Sequence, residues 1–230
     1  MPAPEDLPAG DFSAWLERTL HALASCGGTD VDCGTCTACC TSSYFILIEP
    51  DEQETKARID RRLLSPAPGM PGGHVLLGYD SRGRCPLIGD ARCAIYEHRP
   101  RTCRAYDCRV FTAAGIAAGG ADKQLITRRA QRWKFTYPTQ RDRDEHAAVR
   151  AASSFIRNHP ESFPGGRTPD NPSQLAILAL KASRVFLRDA AGAPHPSPAQ
   201  ANASLAQQVV KACRAFDARK LRAAKGQPAL

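Results

Sequence analysis

Cysteine thiols are the groups in this chain whose type and spacing most directly suggest chemistry. Three of them follow the pattern Cys-x2-Cys-x2-Cys, which places three sulfur atoms on one tight loop where they can converge on a single point. The same pattern opens the cluster motif of bacterial ferredoxins, whereas a single Cys-x2-Cys also suits a zinc knuckle. The pattern therefore predicts a bound metal ion or cluster. The predicted ligands, eight of the ten cysteines, are Cys33, Cys36, Cys39, Cys40, Cys85, Cys93, Cys103 and Cys108.

Three metal arrangements are compatible with eight clustered cysteines. Two Zn²⁺ ions with four thiolates each would stabilise the loops of a region with few strands. One [4Fe–4S] cluster would use four thiolates and leave the others for a second cluster, a zinc ion or redox chemistry. A transfer or storage site for a soft metal would use adjacent thiols such as Cys39 and Cys40. Because successive side chains usually diverge, the adjacent pair favours an iron–sulfur cluster, expected as [4Fe–4S], or two neighbouring sites on this loop.

Length and composition are those of an ordinary globular protein. The 230 residues, 43% of them hydrophobic, suffice for one large domain or for a domain with a helical extension. No apolar run approaches the roughly 20 residues of a membrane span. The acidic beginning Met-Pro-Ala-Pro-Glu-Asp lacks the apolar segment of a secretory signal. We therefore expect a cytoplasmic protein with no membrane partner, whose reduced thiols favour metal binding over disulfides.

Turn signals predict that Cys85 and Cys93 lie close together. The sequence predicts a strand over 75–79 that a turn at 80–83 joins to its partner strand over 85–88. A second turn at 89–90 leads to a further strand over 93–96. The two cysteines would then stand at corresponding ends of short strands.

A short helix is expected to present the next cysteine. Pro100 suits its first position, which places Cys103 in the first turn or just past it, where exposed N–H groups favour a thiolate. Cys108 would lie at or beyond the end of that helix. His98 could complete a coordination sphere, or could be an exposed residue at the approach to the helix.

The spacing of apolar residues predicts helices near the start of the chain and throughout its second half. Asp11 is a good N-cap for a helix over 12–25, and Cys26 follows as a small buried residue or an extra ligand. Cys213 falls on the apolar stripe of the last helix and is assigned to packing. The further helices are expected at 118–134, 141–158, 172–188 and 198–224.

These patterns together predict an α+β fold. It would consist of a small cysteine-rich metal-binding domain of short strands and loops, with a mostly helical C-terminal half. The expected divisions are an N-terminal helix (1–29), the cysteine-cluster metal-binding domain (30–110), a helical region packing on it (111–188), and a linker with a C-terminal basic helix (189–230).

The formal net charge of +8 admits a nucleic-acid or acidic-protein partner. Residues 128–137 interleave basic and aromatic side chains, which can follow a phosphate backbone and stack bases. The alternative is an amphipathic helix whose Trp133 and Phe135 pack on the cysteine-cluster domain while its arginines face water. The last helix could contact RNA or an acidic protein, or could present only a solvated face. Its basic residues are Lys211, Arg214, Arg219, Lys220, Arg222 and Lys225.

The cysteine pattern, together with the block Tyr96-x2-Arg99-Pro100-x2-Cys103-Arg104, resembles the YkgJ-type cysteine-cluster family. That family is described as a zinc- or iron-chelating domain, and the resemblance covers about residues 30–110. It implies that Tyr96, Arg99 and Arg104 surround the metal site, with the arginines donating hydrogen bonds to sulfur and the tyrosine covering the site. The alternative is a core aromatic residue and two surface charges. The pattern is also distantly similar to that of flagellin lysine N-methylase, an iron–sulfur protein.

Three functional hypotheses follow from these patterns. The first is a cytoplasmic cysteine-cluster protein that binds an iron–sulfur cluster or zinc. The second is an iron–sulfur-dependent enzyme that performs redox chemistry or protein-lysine methyl transfer. The third is a zinc-stapled interaction module that contacts RNA or an acidic partner. Visible absorbance separates the first two from the third if the occupant is an iron–sulfur cluster, because zinc thiolates are colourless.

Overall fold

The computed structural model describes residues 5–25, 27–29, 31, 33–90, 92–187 and 198–224, and in the last range the side chains of 201–219. The predictions made for Cys26, for Lys225 and for the linker beginning at 189 fall outside these residues. The α+β class is confirmed, because helices and small sheets occur together along the chain.

The helices and strands alternate irregularly along the chain. The helices are α1 Phe12–Ser25, α2 Gln53–Ala57, α3 Arg101–Ala105, α4 Arg109–Ala114, α5 Gln124–Gln131, α6 Gln140–Asn158, α7 Pro172–Ala182 and α8 Pro198–Ala224. The strands are β1 Leu7–Asp11, β2 Ile46–Ile48, β3 Leu64–Pro66, β4 Val75–Leu77, β5 Ile88–Gly89, β6 Arg92–Cys93 and β7 Trp133–Thr136.

The chain divides into two compact units. The helical unit comprises Met1–Cys26, Cys108–Gly119 and Ala130–Leu230. The cysteine unit comprises Gly27–Asp107 and Gly120–Arg129. Seven of the eight predicted ligands fall in the cysteine unit, and Cys108 falls in the helical unit.

The core of the helical unit forms where α6, α7 and α8 pack together. Alanines on α7 are fully buried, and their small side chains let neighbouring helices approach closely. Cys213 of α8 belongs to this core and is only 8% exposed, which confirms its assignment to packing.

A parallel pair of strands joins two distant segments of the helical unit. Leu7 of β1 pairs with Trp133 of β7, and Asp11 pairs with Thr136. Trp133 and Phe135 point inward and are buried, whereas Lys134 is exposed. The predicted helix over 118–134 was therefore wrong at its end, because the alternating pattern of β7 finds a partner in β1. The buried rings are also not available to stack on bases.

Asp142 stabilises the beginnings of two helices in the helical unit. Thr139 and Asp142 form a capping box at the start of α6. Oδ1 of Asp142 also accepts a hydrogen bond from the N–H of Ser13 at 2.9 Å, in the first turn of α1. These bonds hold the pKa of the Asp142 carboxyl well below its usual range. The predicted N-cap, Asp11, instead accepts a hydrogen bond from the Thr136 hydroxyl at 2.5 Å.

His146 is half-buried within an aromatic cluster of the helical unit. Its ring stacks on Phe12 at a centroid distance of 4.3 Å, and its Nδ1 lies 2.7 Å from the hydroxyl of Tyr137. Burial away from water, assisted by the nearby positive charge of Arg150, lowers the pKa of His146 from 6.5 to about 4. The folded protein therefore holds a neutral imidazole.

The half-buried histidine predicts acid sensitivity of the helical unit. The unfolded chain takes up a proton at His146 near its ordinary pKa, whereas the folded chain resists protonation until about pH 4. The free energy of unfolding should therefore fall as the pH decreases from 6.5 to about 4. His146→Phe keeps the stacked ring. It should reduce the number of protons that the chain takes up on unfolding by up to one, and the dependence of the unfolding free energy on pH should weaken accordingly.

Urea titrations followed by tryptophan fluorescence would measure this slope. Both tryptophans, Trp15 and Trp133, lie in the helical unit, so the signal reports that unit. Equal slopes for the wild type and the variant would show that His146 is not the titrating group.

The cysteine unit has a small core under a three-stranded antiparallel sheet of order β2-β4-β3. Ile48, Ile59 and Leu77 are the buried members of its apolar cluster. The predicted hairpin between 75–79 and 85–88 was wrong, because β4 pairs with β2 and β3 while the N–H of Cys85 donates to the carbonyl of Cys40. The second hairpin is confirmed as β5 and β6, where Ile88 pairs with Cys93.

Candidate metal centre

The first cysteine group lies on a loop that ends in a 3₁₀ helix at Cys39–Thr41. The N–H of Cys36 donates to the carbonyl of Cys33 at 2.8 Å, which closes a turn over Gly34. The hydroxyl of Ser42 donates to the carbonyl of Ala38 at 2.6 Å and fixes the short helix. The loop geometry is thus set mainly by local hydrogen bonds.

Lys123 reaches back to this loop from the separate segment 120–129 of the cysteine unit. Its ammonium group donates to the carbonyl of Ser42, just after the 3₁₀ helix, and lies 4.3 Å from the centroid of the Tyr44 ring. A cation at the carboxyl end of a helix stabilises it. No local sequence pattern predicts this contact, since Lys123 lies far from the first cysteine group along the chain.

Cys85 is attached directly to the first cysteine group. Its N–H donates to the carbonyl of Cys40 at 2.7 Å. The turn before it is closed by the carboxylate of Asp80, which accepts from the N–H groups of Arg82 and Arg84 at 2.8 and 2.9 Å. This backbone pairing is what brings the second group of cysteines to the first.

The hairpin of β5 and β6 positions Cys93. The N–H of Ile88 donates to the carbonyl of Cys85 at 3.2 Å, and Ile88 pairs with Cys93 across the hairpin. Asp90 adopts a left-handed conformation at the turn, with φ of 48°. The tight connection keeps the two thiols near one another.

Cys103 is presented by α3, which is fastened to the sheet at its start. The hydroxyl of Thr102 donates to the carbonyl of Leu47 in β2 at 2.6 Å. The N–H of Arg101 donates to the carboxylate of Glu52 at 2.6 Å. Pro100 is the residue before the helix rather than its first residue, and Cys103 lies in the first turn as predicted.

The electrostatics of these thiols show which cysteines are neighbours. Burial is the larger cause and negative charge on Cys85, Cys93, Cys33 and Cys36 is the smaller one, and together they raise the pKa of Cys40 to about 12. The pKa of Cys103 is likewise raised, first by burial and then by Cys40, Cys85 and Cys93. Burial followed by Cys93 also raises the pKa of Cys85. We call Cys40, Cys85, Cys93 and Cys103 the four-thiol group, because each lies within electrostatic reach of the other three.

The chemistry of the four-thiol group fits a soft metal. Half-buried thiols that lie close together lose their protons readily only when a cation compensates the thiolate charge. Thiolate is the preferred ligand of zinc and of iron–sulfur clusters. Among the described residues, no three cysteine, histidine, aspartate or glutamate side chains are gathered at metal-binding geometry. That these thiols coordinate one metal ion together therefore stays a prediction.

The remaining predicted ligands differ in their surroundings. Cys33 and Cys36 lie within electrostatic reach of Cys40. Cys39 is half-buried at the start of the 3₁₀ helix. Cys108, in the helical unit, is buried, and the indole N–H of Trp133 donates to its sulfur at 3.2 Å. The sequence did not predict this bond.

The predicted surrounding residues have distinct contacts. The guanidinium of Arg99 lies 4.0 Å from the Tyr96 ring centroid and donates to the Tyr96 carbonyl at 3.3 Å. Its positive charge lowers the pKa of Cys103, in opposition to burial. Arg104 forms a backbone hydrogen bond in this region, in which its carbonyl accepts from the N–H of Thr29 at 3.1 Å.

The side chain of His98 lies next to the carboxylate of Glu54. Its Nδ1 lies 3.8 Å from the carboxylate of Glu54, and its side chain is 37% exposed. Its carbonyl accepts from the hydroxyl of Thr55 at 2.9 Å. These contacts fit the exposed residue that was the alternative to a metal ligand.

The surface predicted to meet RNA or an acidic protein lies on α8. Lys211, Arg214 and Arg219 are exposed there, and the partner stays a prediction. The side chains of Lys220 and Arg222 fall outside the described set. In the ranges that the structure covers, no helix combines the length and the apolar character needed to span a bilayer.

Comparison with protein families gives a match over part of the chain. Residues 32–131 match the family model CxxCxxCC, described as "Putative zinc- or iron-chelating domain". No curated protein and no solved structure matches the chain, so the similarity to flagellin lysine N-methylase stays a prediction. The matched range contains the four-thiol group, the cysteine loop and Cys108, and it continues to Lys123 and α5. Over residues 32–131, the chain is therefore similar to the CxxCxxCC family, which is described as a zinc- or iron-chelating domain.

Proposed function

We propose that the cysteine unit binds zinc or iron in a thiolate centre built on Cys40, Cys85, Cys93 and Cys103, with a [4Fe–4S] cluster as the occupant. The observation that carries this proposal is the proximity of four half-buried thiols from separate elements, which shows in the raised pKa values of Cys40, Cys85 and Cys103. Four thiolates are the ligand number of both a [4Fe–4S] cluster and a structural zinc site.

Zinc is the second candidate, because the same four thiolates satisfy its tetrahedral preference. The surplus of thiols near the four-thiol group favours iron–sulfur chemistry or a second site. Cys33 and Cys36 lie within reach of Cys40, and Cys39 precedes it directly. These three are proposed to complete a further site or to assist loading of the first, and Cys108 is retained as a proposed ligand. Reduced thiols in such number are expected in the cytoplasm.

The protein's own contribution is to hold the thiols together and to limit their contact with water. An iron–sulfur cluster would supply electron transfer there, and zinc would supply stability. Arg99 offsets part of the thiolate charge at Cys103, as its effect on the Cys103 pKa indicates. The Tyr96 ring packs against the guanidinium of Arg99 and restricts the positions that this guanidinium can take.

Metal and acid-labile sulfide analysis, with a visible spectrum, would test the proposal on protein purified without oxygen. Brown protein that contains iron and sulfide in near-stoichiometric amounts is the expected result. Colourless protein with bound zinc would overturn the iron–sulfur part and retain the thiolate centre. Protein that binds neither metal after anaerobic reconstitution would overturn the whole proposal.

A further inference from the structure

The helical unit contains a largely apolar cavity of about 230 Å³ that the proposed metal chemistry does not use. It lies between the end of α6, α7, α8 and the loop 163–169, and it opens to solvent. Its apolar lining includes Ile156, Phe163, Pro164, Leu178, Val209 and Val210. A cavity of roughly 150 Å³ holds one benzene molecule, so a volume of about 230 Å³ admits a ligand of about nine or ten heavy atoms.

The wall formed by the loop 163–169 is held by hydrogen bonds within the protein. The N–H of Phe163 donates to the carbonyl of Pro160 at 3.1 Å, and the N–H of Gly166 donates to the carbonyl of Phe163 at 2.9 Å. The centroid of the Phe163 ring also lies 5.8 Å from that of Phe155, which belongs to the core of the helical unit. A ligand would therefore lose little free energy to ordering of this loop on binding.

Two arginines give this apolar cavity a positively charged mouth. Arg167 of the loop and Arg214 of α8 both line it and are exposed, and among the residues that the structure describes neither guanidinium forms an ion pair. Asp217 also lines the cavity, but its carboxylate accepts from the ammonium group of Lys181 at 2.6 Å. Since that carboxylate is already paired, the two guanidinium groups attract an anion to the cavity. A singly charged anion is favoured over a doubly charged one, because Asp217 repels additional negative charge.

We propose that this cavity binds a fatty acid of medium chain length, with about eight carbon atoms. The alkyl chain packs against the apolar lining, and the carboxylate lies at the mouth, where the guanidinium groups of Arg167 and Arg214 donate to it. A guanidinium matches the planar geometry of a carboxylate and can bind it through two parallel hydrogen bonds. Burial of the chain supplies affinity in proportion to its apolar area, and the head group fixes its orientation. This function is independent of the metal centre.

Isothermal titration calorimetry on the full-length protein would test the proposal with four matched probes. Octanoate carries both the charge and the chain, octanamide lacks the charge, butanoate has a chain half as long, and octyl phosphate carries a second negative charge. Octanoate should bind, octanamide and butanoate should each bind at least about tenfold more weakly, and octyl phosphate should bind more weakly than octanoate. No binding of octanoate, or a comparable affinity for octanamide or butanoate, would overturn the proposal. Octyl phosphate that binds as tightly as octanoate would overturn the choice of a carboxylate head group.

Three variants and a control connect the binding to the named residues. Arg167→Gln and Arg214→Gln should each weaken octanoate binding by about tenfold or more. Val210→Trp adds an indole ring to the lining and should abolish binding by filling the cavity. Arg219→Gln removes the same charge from an exposed position of α8 outside the lining and should leave the affinity unchanged. All four positions are exposed or half-buried, so the variants are expected to fold. Wild-type affinity in both arginine variants, or in Val210→Trp, would refute the assigned site, and an equal loss in Arg219→Gln would show that octanoate responds only to the overall charge.

Discussion

Serine substitution at Cys40, Cys85, Cys93 or Cys103 should reduce the metal-to-protein ratio several-fold in each variant. A serine hydroxyl has nearly the size of a thiol but is a poor ligand for soft metals at neutral pH. Each variant would retain three half-buried thiolates, whose negative charge the metal no longer offsets fully. Metal analysis of anaerobically purified variants, with circular dichroism to verify folding, would measure the effect.

Cys213→Ser is the matched control for these variants. Cys213 is buried in the core of the helical unit, and its sulfur lies 3.9 Å from the Leu178 carbonyl. This variant should keep the wild-type metal content even if it is less stable. Cys36→Ser should also lower the metal content, because Cys36 lies within reach of Cys40. Metal loss as large in Cys213→Ser as in Cys103→Ser would remove the distinction between ligands and packing residues.

Removal of the metal should open the cysteine unit and leave the helical unit folded. Among the residues that the structure describes, the apolar cluster of the cysteine unit has Ile48, Ile59 and Leu77 as its buried members, whereas the helical unit has a core built from several long helices. Small domains with little core depend on metals for stability, and structural zinc contributes about 10–16 kcal/mol of apparent binding free energy in zinc-finger peptides. Hydrogen exchange with mass spectrometry, before and after chelation, would measure the opening.

The expected pattern of exchange is specific to each unit. Peptides that contain β4 should lose protection after chelation, and peptides from α6 should keep theirs. A variant that already lacks metal, such as Cys103→Ser, should show the same exchange with and without chelator. Uniform loss of protection along the chain, or none at all, would contradict a stabilising role that is confined to the cysteine unit.

Features of the candidate site that depend on local sequence were predictable. The spacing of the thiols, the turn at 89–90 and the short helix that carries Cys103 each follow from a few adjacent residues. The apolar stripes of α1, α6 and α8 likewise gave helices close to the expected bounds. In these places the pattern of turn and apolar residues outweighs any competing long-range interaction.

Features that depend on distant partners were not predictable. β1 contains Pro8 and Gly10, which are poor strand formers, and it exists because β7 pairs with it. The first turn of α1 is capped by Asp142, although Asp11 is the local candidate. The Trp133–Cys108 bond joins two elements that are not adjacent in sequence. One sequence contains no information about such pairings beyond general preferences.

The pairing of β1 with β7 has a consequence for synthesis on the ribosome. Asp11 meets Thr136, which is 125 residues later in the chain, so β1 emerges long before its partner. At about 5–20 residues per second, the delay is on the order of ten seconds. Nearly all of the cysteine unit emerges during that interval. We therefore expect the thiols to acquire their metal on the nascent chain, before the helical unit has been completed.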